Sequence, residues 1–291
     1  MNPVHSYEDL LAAEKPAYDW PMIDETSAYS ACYTSGTTGK PKGVYYSHRC
    51  IYLHTMAMAL TLNISNRDVI MQTVPMFHSN GWGVFFAGGL LGAKLVFPGM
   101  YTAEKLDVLV DLMIAEKVTL TGGAPAIFLP MLQYLQSLPE QPMFENLRMI
   151  SGATEPPLAM MKGFAEFGAD VIHGYGATET TPLVTCNLLK PSIADWPEED
   201  RWELRKRQGL PLCGLDVKIV DVTGNELPWD GESAGEILIR GPWIARAYYN
   251  DARNEDAFDV LIVDEIPKTS VGKFSKKEIR AKFKDFYQKG A

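Results

Sequence analysis

Cysteine is scarce in this 291-residue chain: there are four (Cys32, Cys50, Cys186, Cys213), far apart, with no C-x-x-C pair and no histidine at zinc-finger spacing. That excludes a disulfide-stapled scaffold and a structural zinc module, and it fits free thiols in a reducing compartment. A long hydrophobic run is also missing. The longest markedly apolar stretch, Gly81–Ala93, is 13 residues with five glycines, whereas a bilayer span needs roughly 20, so no transmembrane helix is expected. Positive charge is in deficit, 27 Lys and Arg against 36 Asp and Glu, for a formal charge of −9. A chain of that sign is not built to sit on nucleic acid or an acidic membrane. The opening MNPVHSYEDL carries acids where an export signal needs a basic and then an apolar run, so a cytoplasmic setting is expected. Internal repeats and low-complexity segments are absent as well.

The balance that remains, 46% hydrophobic and 22% charged, is that of a globular protein with a sizeable core and excludes disorder. From residue 27 to about 186 short apolar runs alternate with longer helical patterns. Tyr29–Tyr33, Val69–Gln72, Lys94–Phe97, Val118–Thr121, Leu147–Ile150 and Asp170–Ile172 read as strands. The clearest helix pattern starts from Thr102 as N-cap, with Leu106, Leu109, Val110 and Met113 on one face. Strand and helix alternating at this pitch imply crossover units, so the expected class is α/β, a largely parallel sheet layered with helices on both faces. Residues 190–208, rich in proline and charge, read as a surface excursion. Beyond them LDVKIVD, a turn region and EILIRG predict hairpins and a small β subdomain. A strand at Val260–Val263 and a helix from about Lys276 close the chain. Ser275 and Glu278 form a capping box there, and Ile279, Phe283, Phe286 and Tyr287 share a face. From Lys273 onward seven basic residues face only Glu278 and Asp285, a local +5. Such a helix can touch nucleic acid or a membrane, though its charges are more often a solvated face.

The chemistry-bearing stretch is YTSGTTGKPKG, Tyr33–Gly43. Its glycines let backbone N–H groups converge, its hydroxyls add donors without bulk and its lysines add charge, a combination suited to a polyphosphate. The spacing is not that of the G-x-x-x-x-G-K-[ST] loop, and by composition alone a mobile Gly/Ser turn is the default reading. The ordered string, however, resembles the phosphate loop of the adenylate-forming acyl-CoA synthetases, also called AMP-binding enzymes. The resemblance continues, in the family's order, through VPMFHSNGWG (Val74–Gly83), SGATEPP (Ser151–Pro157), HGYGATET (His173–Thr180), GEILIRGPWIARAYYND (Gly235–Asp251) and IPKTSVGKF (Ile266–Phe274). Within the family, FHSNGW is most similar to the medium- and long-chain fatty acyl-CoA synthetases.

What the resemblance implies is ATP-dependent activation of a carboxylic acid to an acyl-adenylate, then transfer to coenzyme A. Thr34, Ser35, Gly36, Thr37, Thr38, Gly39 and Lys40 would hold the β- and γ-phosphates. Thr178 would donate to the α-phosphate and Glu179 would ligate Mg²⁺, a hard cation that takes carboxylate and phosphate oxygens. Tyr175 would lie along the adenine, with Gly152, Ala153, His173, Gly174 and Gly176 forming the nucleotide's surroundings. Lys273 would bridge α-phosphate and carboxylate as they meet, and His78 and Trp82 would border and gate an acyl channel. Taken singly, Lys273 is a solvated lysine, Trp82 a core aromatic and Glu179 an exposed acid; the matching strings around them are what point to chemistry.

Compared with the family pattern, the sequence starts close to its phosphate loop, and ARNEDAF leads directly from the YYND motif into DVLIVDEIPKTSVGKF, near Asp251–Val260. The expectation is therefore a large-domain core over 1–250, incomplete at its amino terminus, and a carboxy-terminal α+β remnant over 259–291. An aspartate that would grip the ribose and the hinge between the two have no counterpart. Uncovered apolar surface would then favour association, a homodimer being one form. A nucleotide- or acyl-binding pseudoenzyme is the alternative function. Aryl-CoA ligases, luciferase-like enzymes and peptide-synthetase adenylation domains share the loop, but HSNGW and the apolar, Gly-rich run behind it favour an apolar acid, and no acidic residue there awaits an amino group.

Overall fold

Alternation of side chains along short strands decides how this chain layers. In a computed structural model, which describes residues 6–34, 41–102 and 105–250, consecutive strand residues go to opposite cores. Ile70 packs with Ala57, Met58, Val84 and Ala87, while its neighbour Met71 packs with Leu109, Met113, Phe128 and Phe164. Val171 and Ile172 divide in the same way. A strand with both faces buried must be apolar throughout, which is why these runs read as continuous rather than alternating.

The strands are β1 (Ala28–Thr34), β2 (Lys42–Ser47), β3 (Val69–Met71), β4 (Lys94–Val96), β5 (Leu120–Gly123), β6 (Leu147–Ser151), β7 (Ala169–Gly176), β8 (Leu183–Cys186), β9 (Leu210–Pro211), β10 (Asp216–Val220) and β11 (Glu236–Arg240). The helices are α1 (Tyr7–Ala13), α2 (His48–Thr61), α3 (Trp82–Leu91), α4 (Asp107–Glu116), α5 (Pro125–Ser137), α6 (Leu158–Glu166) and α7 (Glu198–Arg205). Among the described residues one sheet has seven strands in the order β4-β3-β5-β6-β7-β8-β9, parallel from β4 to β7 and antiparallel beyond. Helices α4, α5 and α6 cover one face and α2 and α3 the other. The α/β layering expected from sequence is present, as are the six strands expected between residues 27 and 186, the first of them (Tyr29–Tyr33) in a separate antiparallel hairpin rather than in the main sheet.

Several boundaries differ: the strand expected at Val118–Thr121 runs over Leu120–Gly123, and that expected at Asp170–Ile172 extends over Ala169–Gly176. The helix expected to start from Thr102 begins at Asp107, and Leu106 occupies the N-cap position without a side-chain cap. The apolar positions carry the helix rather than the cap: Leu109, Val110 and Met113 are fully buried. Its other end turns at Lys117, whose φ of 54° is left-handed.

Two hairpins stand apart from the main sheet. β1–β2 is antiparallel, with Thr34 opposite Lys42 at the end from which the connecting segment leaves; β10–β11 is the small β unit expected after residue 208. The 190–208 excursion contains α7, which buries no residue and is tied down by the Arg205–Asp170 ion pair and by Lys162 over the Trp202 ring. At the amino ends of the interior strands β3 and β6 Arg148 pairs with Asp68. Burial alone would raise the Asp68 carboxyl, but hydrogen bonds from Thr119 and the Ser65 N–H, with the Arg148 charge, outweigh it and hold the group below the usual carboxylate range. No described helix is long and apolar enough to cross a membrane. The expected strand at Val260–Val263 and the basic terminal helix lie outside the described residues.

Candidate functional site

In an open α/β sheet the strand ends at the carboxyl side leave backbone groups and crevices available to a ligand. Here those ends are unusually bare: β5 finishes on Gly122–Gly123, β6 runs into Gly152–Ala153 and β7 finishes on Gly174-Tyr175-Gly176. Between them and helices α2 and α3 lies a cavity of about 470 Å³, walled by Met58, Val84, Ile150, Leu183 and Val74 and by the glycines of the three strand ends. Its size falls within the ~300–1,000 Å³ usual for small-molecule sites. The walls are apolar on the α2/α3 side because the same strand positions that feed that core continue past the last paired residue.

His78 reaches this cavity from an exposed position, its ring 4.6 Å from that of Phe77. Trp82, four residues on, does not line it. Its indole is buried, with Nε1 donating to the Met76 carbonyl at 2.9 Å and the ring packed edge-on against Tyr46 at 5.3 Å. Gly83, the next residue, lines the wall in its place.

Past β7, a short 3-10 turn, Thr178–Thr180, carries two of the expected residues. The Thr180 hydroxyl accepts from the Ala177 N–H at 2.8 Å and closes the turn. From the side of the β1–β2 hairpin, Tyr46 donates its hydroxyl to the Thr178 carbonyl at 2.6 Å. Burial pushes the Tyr46 phenol far above its ordinary value, so it stays a donor at any physiological pH. Tyr248 donates to Glu179 Oε1 at 2.6 Å, and the Ala245 N–H donates to the Glu179 carbonyl at 2.8 Å. Lys42 closes the set, its Nζ 4.6 Å from the centre of the Tyr248 ring, a distance at which cation and ring attract.

Thr34 and Lys42, which flank the glycine- and hydroxyl-rich loop, therefore stand on the hairpin that touches Thr178 and, through Tyr248, Glu179. Ser35, Gly36, Thr37, Thr38, Gly39 and Lys40, like Lys273, lie outside the described residues. Glu179 is a single carboxylate, and the described residues hold no cluster of three or more His, Cys, Asp or Glu that could cage a metal. That donor set fits Mg²⁺ bound through one carboxylate with phosphate oxygens and water, not a site made by protein alone.

The remaining expected residues divide. Gly152, Ala153, Gly174 and Gly176 line the apolar cavity, with Ala153 in the left-handed region at φ 70°. Tyr175 is partly buried between two of them and is not in the wall. His173 is buried, its Nδ1 2.7 Å from the Lys206 carbonyl. A carbonyl only accepts, so that nitrogen carries the proton and the side chain anchors the 190–208 excursion. Sequence reasoning missed Tyr46, Met58 and Gly122, whereas Lys42 is one of the two lysines counted in Tyr33–Gly43. Tyr46 and Thr178 are 132 positions apart, and no local pattern announces such a contact. Tyr248 was within reach, since it stands in the YYND motif.

The family model described as AMP-binding enzyme matches residues 1–249. The chain is 40% identical over 250 residues to the medium-chain-fatty-acid–CoA ligase of Ectopseudomonas oleovorans, covering 84% of this chain and 45% of the relative. It is 38% identical over 256 residues to the long-chain-fatty-acid–CoA ligase of Thermus thermophilus, covering 87% and 45%. The chain thus spans about half the length of the curated relatives it matches. Among solved structures it resembles a long-chain-fatty-acid-CoA ligase from Archaeoglobus fulgidus (TM-score 0.74, 22% identity, 94% of this chain and 53% of the other), a likeness of fold. It also resembles the O-succinylbenzoate coenzyme A synthetase of Bacillus subtilis in complex with ATP and magnesium ion (TM-score 0.69, 26% identity, 86% and 50%).

Proposed function

The chain belongs to the AMP-binding enzyme family, and from that membership we propose that it activates a fatty acid, or another carboxylic acid with an apolar tail, using ATP and coenzyme A. A carboxylate oxygen attacks the α-phosphorus of ATP and the bond to pyrophosphate breaks, giving acyl-adenylate. The thiol of coenzyme A then attacks the acyl carbonyl, loses its proton to solvent and expels AMP.

The observation that carries this reading is the continuity of β7. Gly174 and Gly176 form part of an apolar wall, and two residues further the chain reaches Thr178 and Glu179. An apolar tail and a polyphosphate would meet at that edge. The work asked of the protein is positioning and electrostatic stabilisation. Thr34 to Lys40 would hold the β- and γ-phosphates and Thr178 the α-phosphate. His173 would keep the adenine pocket's far side closed, with Tyr175 along the base. Mg²⁺ at Glu179 would neutralise phosphate charge. Tyr248 and Tyr46 would fix the turn that presents Thr178 and Glu179, and Lys273 would lower the repulsion between carboxylate and phosphate. Trp82 would back the acyl channel behind His78.

The proposed division is an adenylate-forming core over 1–250 and a carboxy-terminal part over 259–291. A homodimer is consistent with Tyr52, Met56 and Leu60, exposed four residues apart along α2, and the free thiols among the described residues suit the cytoplasm. ATP–pyrophosphate exchange with Mg²⁺ and a panel of C4 to C16 fatty acids tests the function. Exchange that depends on the acid supports it. ATP binding by calorimetry with no exchange for any acid would overturn it and leave a nucleotide-binding protein.

A further inference from the structure

We infer that Gly122 sets the length of acyl tail the cavity accepts, a proposal that rests on the acid-activating reading above. The argument comes from what each glycine in the wall is for. A Cβ added at Gly83 would meet Met58 Cε at 3.0 Å and His54 Cε1 at 3.2 Å; at Gly123 it would meet the Phe128 ring at 2.7 Å. At Gly174 it would meet Leu183 at 3.0 Å, at Gly152 the Gly174 carbonyl at 3.3 Å, and at Gly176 the Pro182 carbonyl at 1.9 Å. Those five are glycine because the protein itself fills the space beside them.

Gly122 is different. Its added Cβ would come no closer than 3.8 Å to the Ile150 carbonyl and 4.0 Å to Val74 Cγ2, ordinary contact distances, and both neighbours also line the cavity. Along β5, Leu120 belongs to the α2/α3 core. Gly122, two residues on, faces the same side, the side on which Met58, Val84 and Leu183 stand. Folding does not require a glycine here, so the missing side chain is volume left to a ligand. The surroundings are hydrocarbon and backbone, which admits an alkyl chain and offers little to a polar one. A side chain grown from residue 122 enters that volume directly and competes with the distal carbons of the tail.

The test compares the full chain with its Gly122→Leu variant. Binding of straight-chain alkanoic acids from C4 to C16 is measured by displacement of a fluorescent fatty acid, a readout independent of turnover. Exchange activity is then measured with the same acids. Leucine adds four carbons, so the longest acid bound should shorten by about four carbons, with acids beyond the new limit weakened on the order of 100-fold and short ones unchanged within about twofold. Gly89→Leu is the control: its added Cβ meets nothing within 4 Å, but it opens on a separate groove beside Tyr29 and Phe86, and its length profile should match the parent. Should the leucine variant not fold, Gly122→Ala carries the comparison with a shift of about one carbon. An identical length profile in parent and variant, or an equal loss for every acid, would overturn the inference while exchange activity left the functional reading intact. A shortened binding profile without exchange for any acid would do the reverse.

Discussion

The Tyr248 hydroxyl donates to Glu179 Oε1 at 2.6 Å while Lys42 Nζ sits 4.6 Å from the centre of the same tyrosine ring. One side chain thus joins the exit of the glycine-rich loop to the acid proposed to hold Mg²⁺. A carboxylate with a fixed donor on one oxygen has its orientation decided before the cation arrives.

Tyr248→Phe keeps the ring and its contact with Lys42 and removes that donor. A hydrogen bond to a charged group is worth about 1.5–3 kcal/mol, so the Mg²⁺ concentration needed for half-maximal exchange should rise roughly tenfold or more. A Mg²⁺ titration of ATP–pyrophosphate exchange reads this; an unchanged midpoint would show that Glu179 is held by other means.

Lys273→Ala should abolish adenylate formation and leave ATP affinity within a few fold, because the lysine is proposed to act as acid and phosphate approach. Pyrophosphate release at the parent's rate would remove Lys273 from the reaction.

His54 is buried and accepts a hydrogen bond at Nε2 from the Leu183 N–H at 3.2 Å. Burial pushes its pKa down to about 3. With an unfolded value near 6.5, the unfolded chain binds the extra proton first as pH falls. The stability that a neutral His54 preserves is therefore complete above about pH 6.5 and is lost progressively toward pH 3, with a slope approaching ~1.4 kcal/mol per pH unit. Denaturant midpoints between pH 6.5 and 4.5, above the carboxylate range, should fall accordingly, and His54→Gln should flatten the decline. A parent that holds its stability across that window would contradict the assignment.

How far the residues announce the structure depends on the range of the contact. The strands from Val69 to Ile172 are legible because burial on both faces demands unbroken apolar runs, and the β10–β11 hairpin because Asp221 and Asp230 mark its turns, each carboxylate accepting nearby backbone N–H groups. The start of α4 is misjudged because a threonine with good capping chemistry stands five residues ahead of where Leu106, Leu109 and Val110 can reach the core. In the site, motif strings single out Thr178, Glu179 and His78 but not what holds them. Tyr46 reaches Thr178 across 132 positions, and the openness beside Gly122 exists only once β5 and β6 are adjacent. His173 looks like a ligand contact in its motif, yet its ring is turned to Lys206, a segment whose path no periodicity foretells.

The hairpin that carries the loop shares no strand with the main sheet. It is fastened by one small cluster, Cys32, Val44, Tyr46, Ile51, Trp82, Ala245 and Tyr248, drawn from both ends of the described chain. Such a fastening behaves as a bolted joint between two bodies, and its loosening need not wait for the sheet to melt. Partial unfolding would part Lys42 and Tyr46 from the turn that carries Thr178 and Glu179 while the cavity and both large cores stayed intact. The amide protons of Val44 and Tyr46 then become gauges of site assembly: whatever stiffens the joint, bound nucleotide included, should slow their exchange before it slows that of β5 or β6.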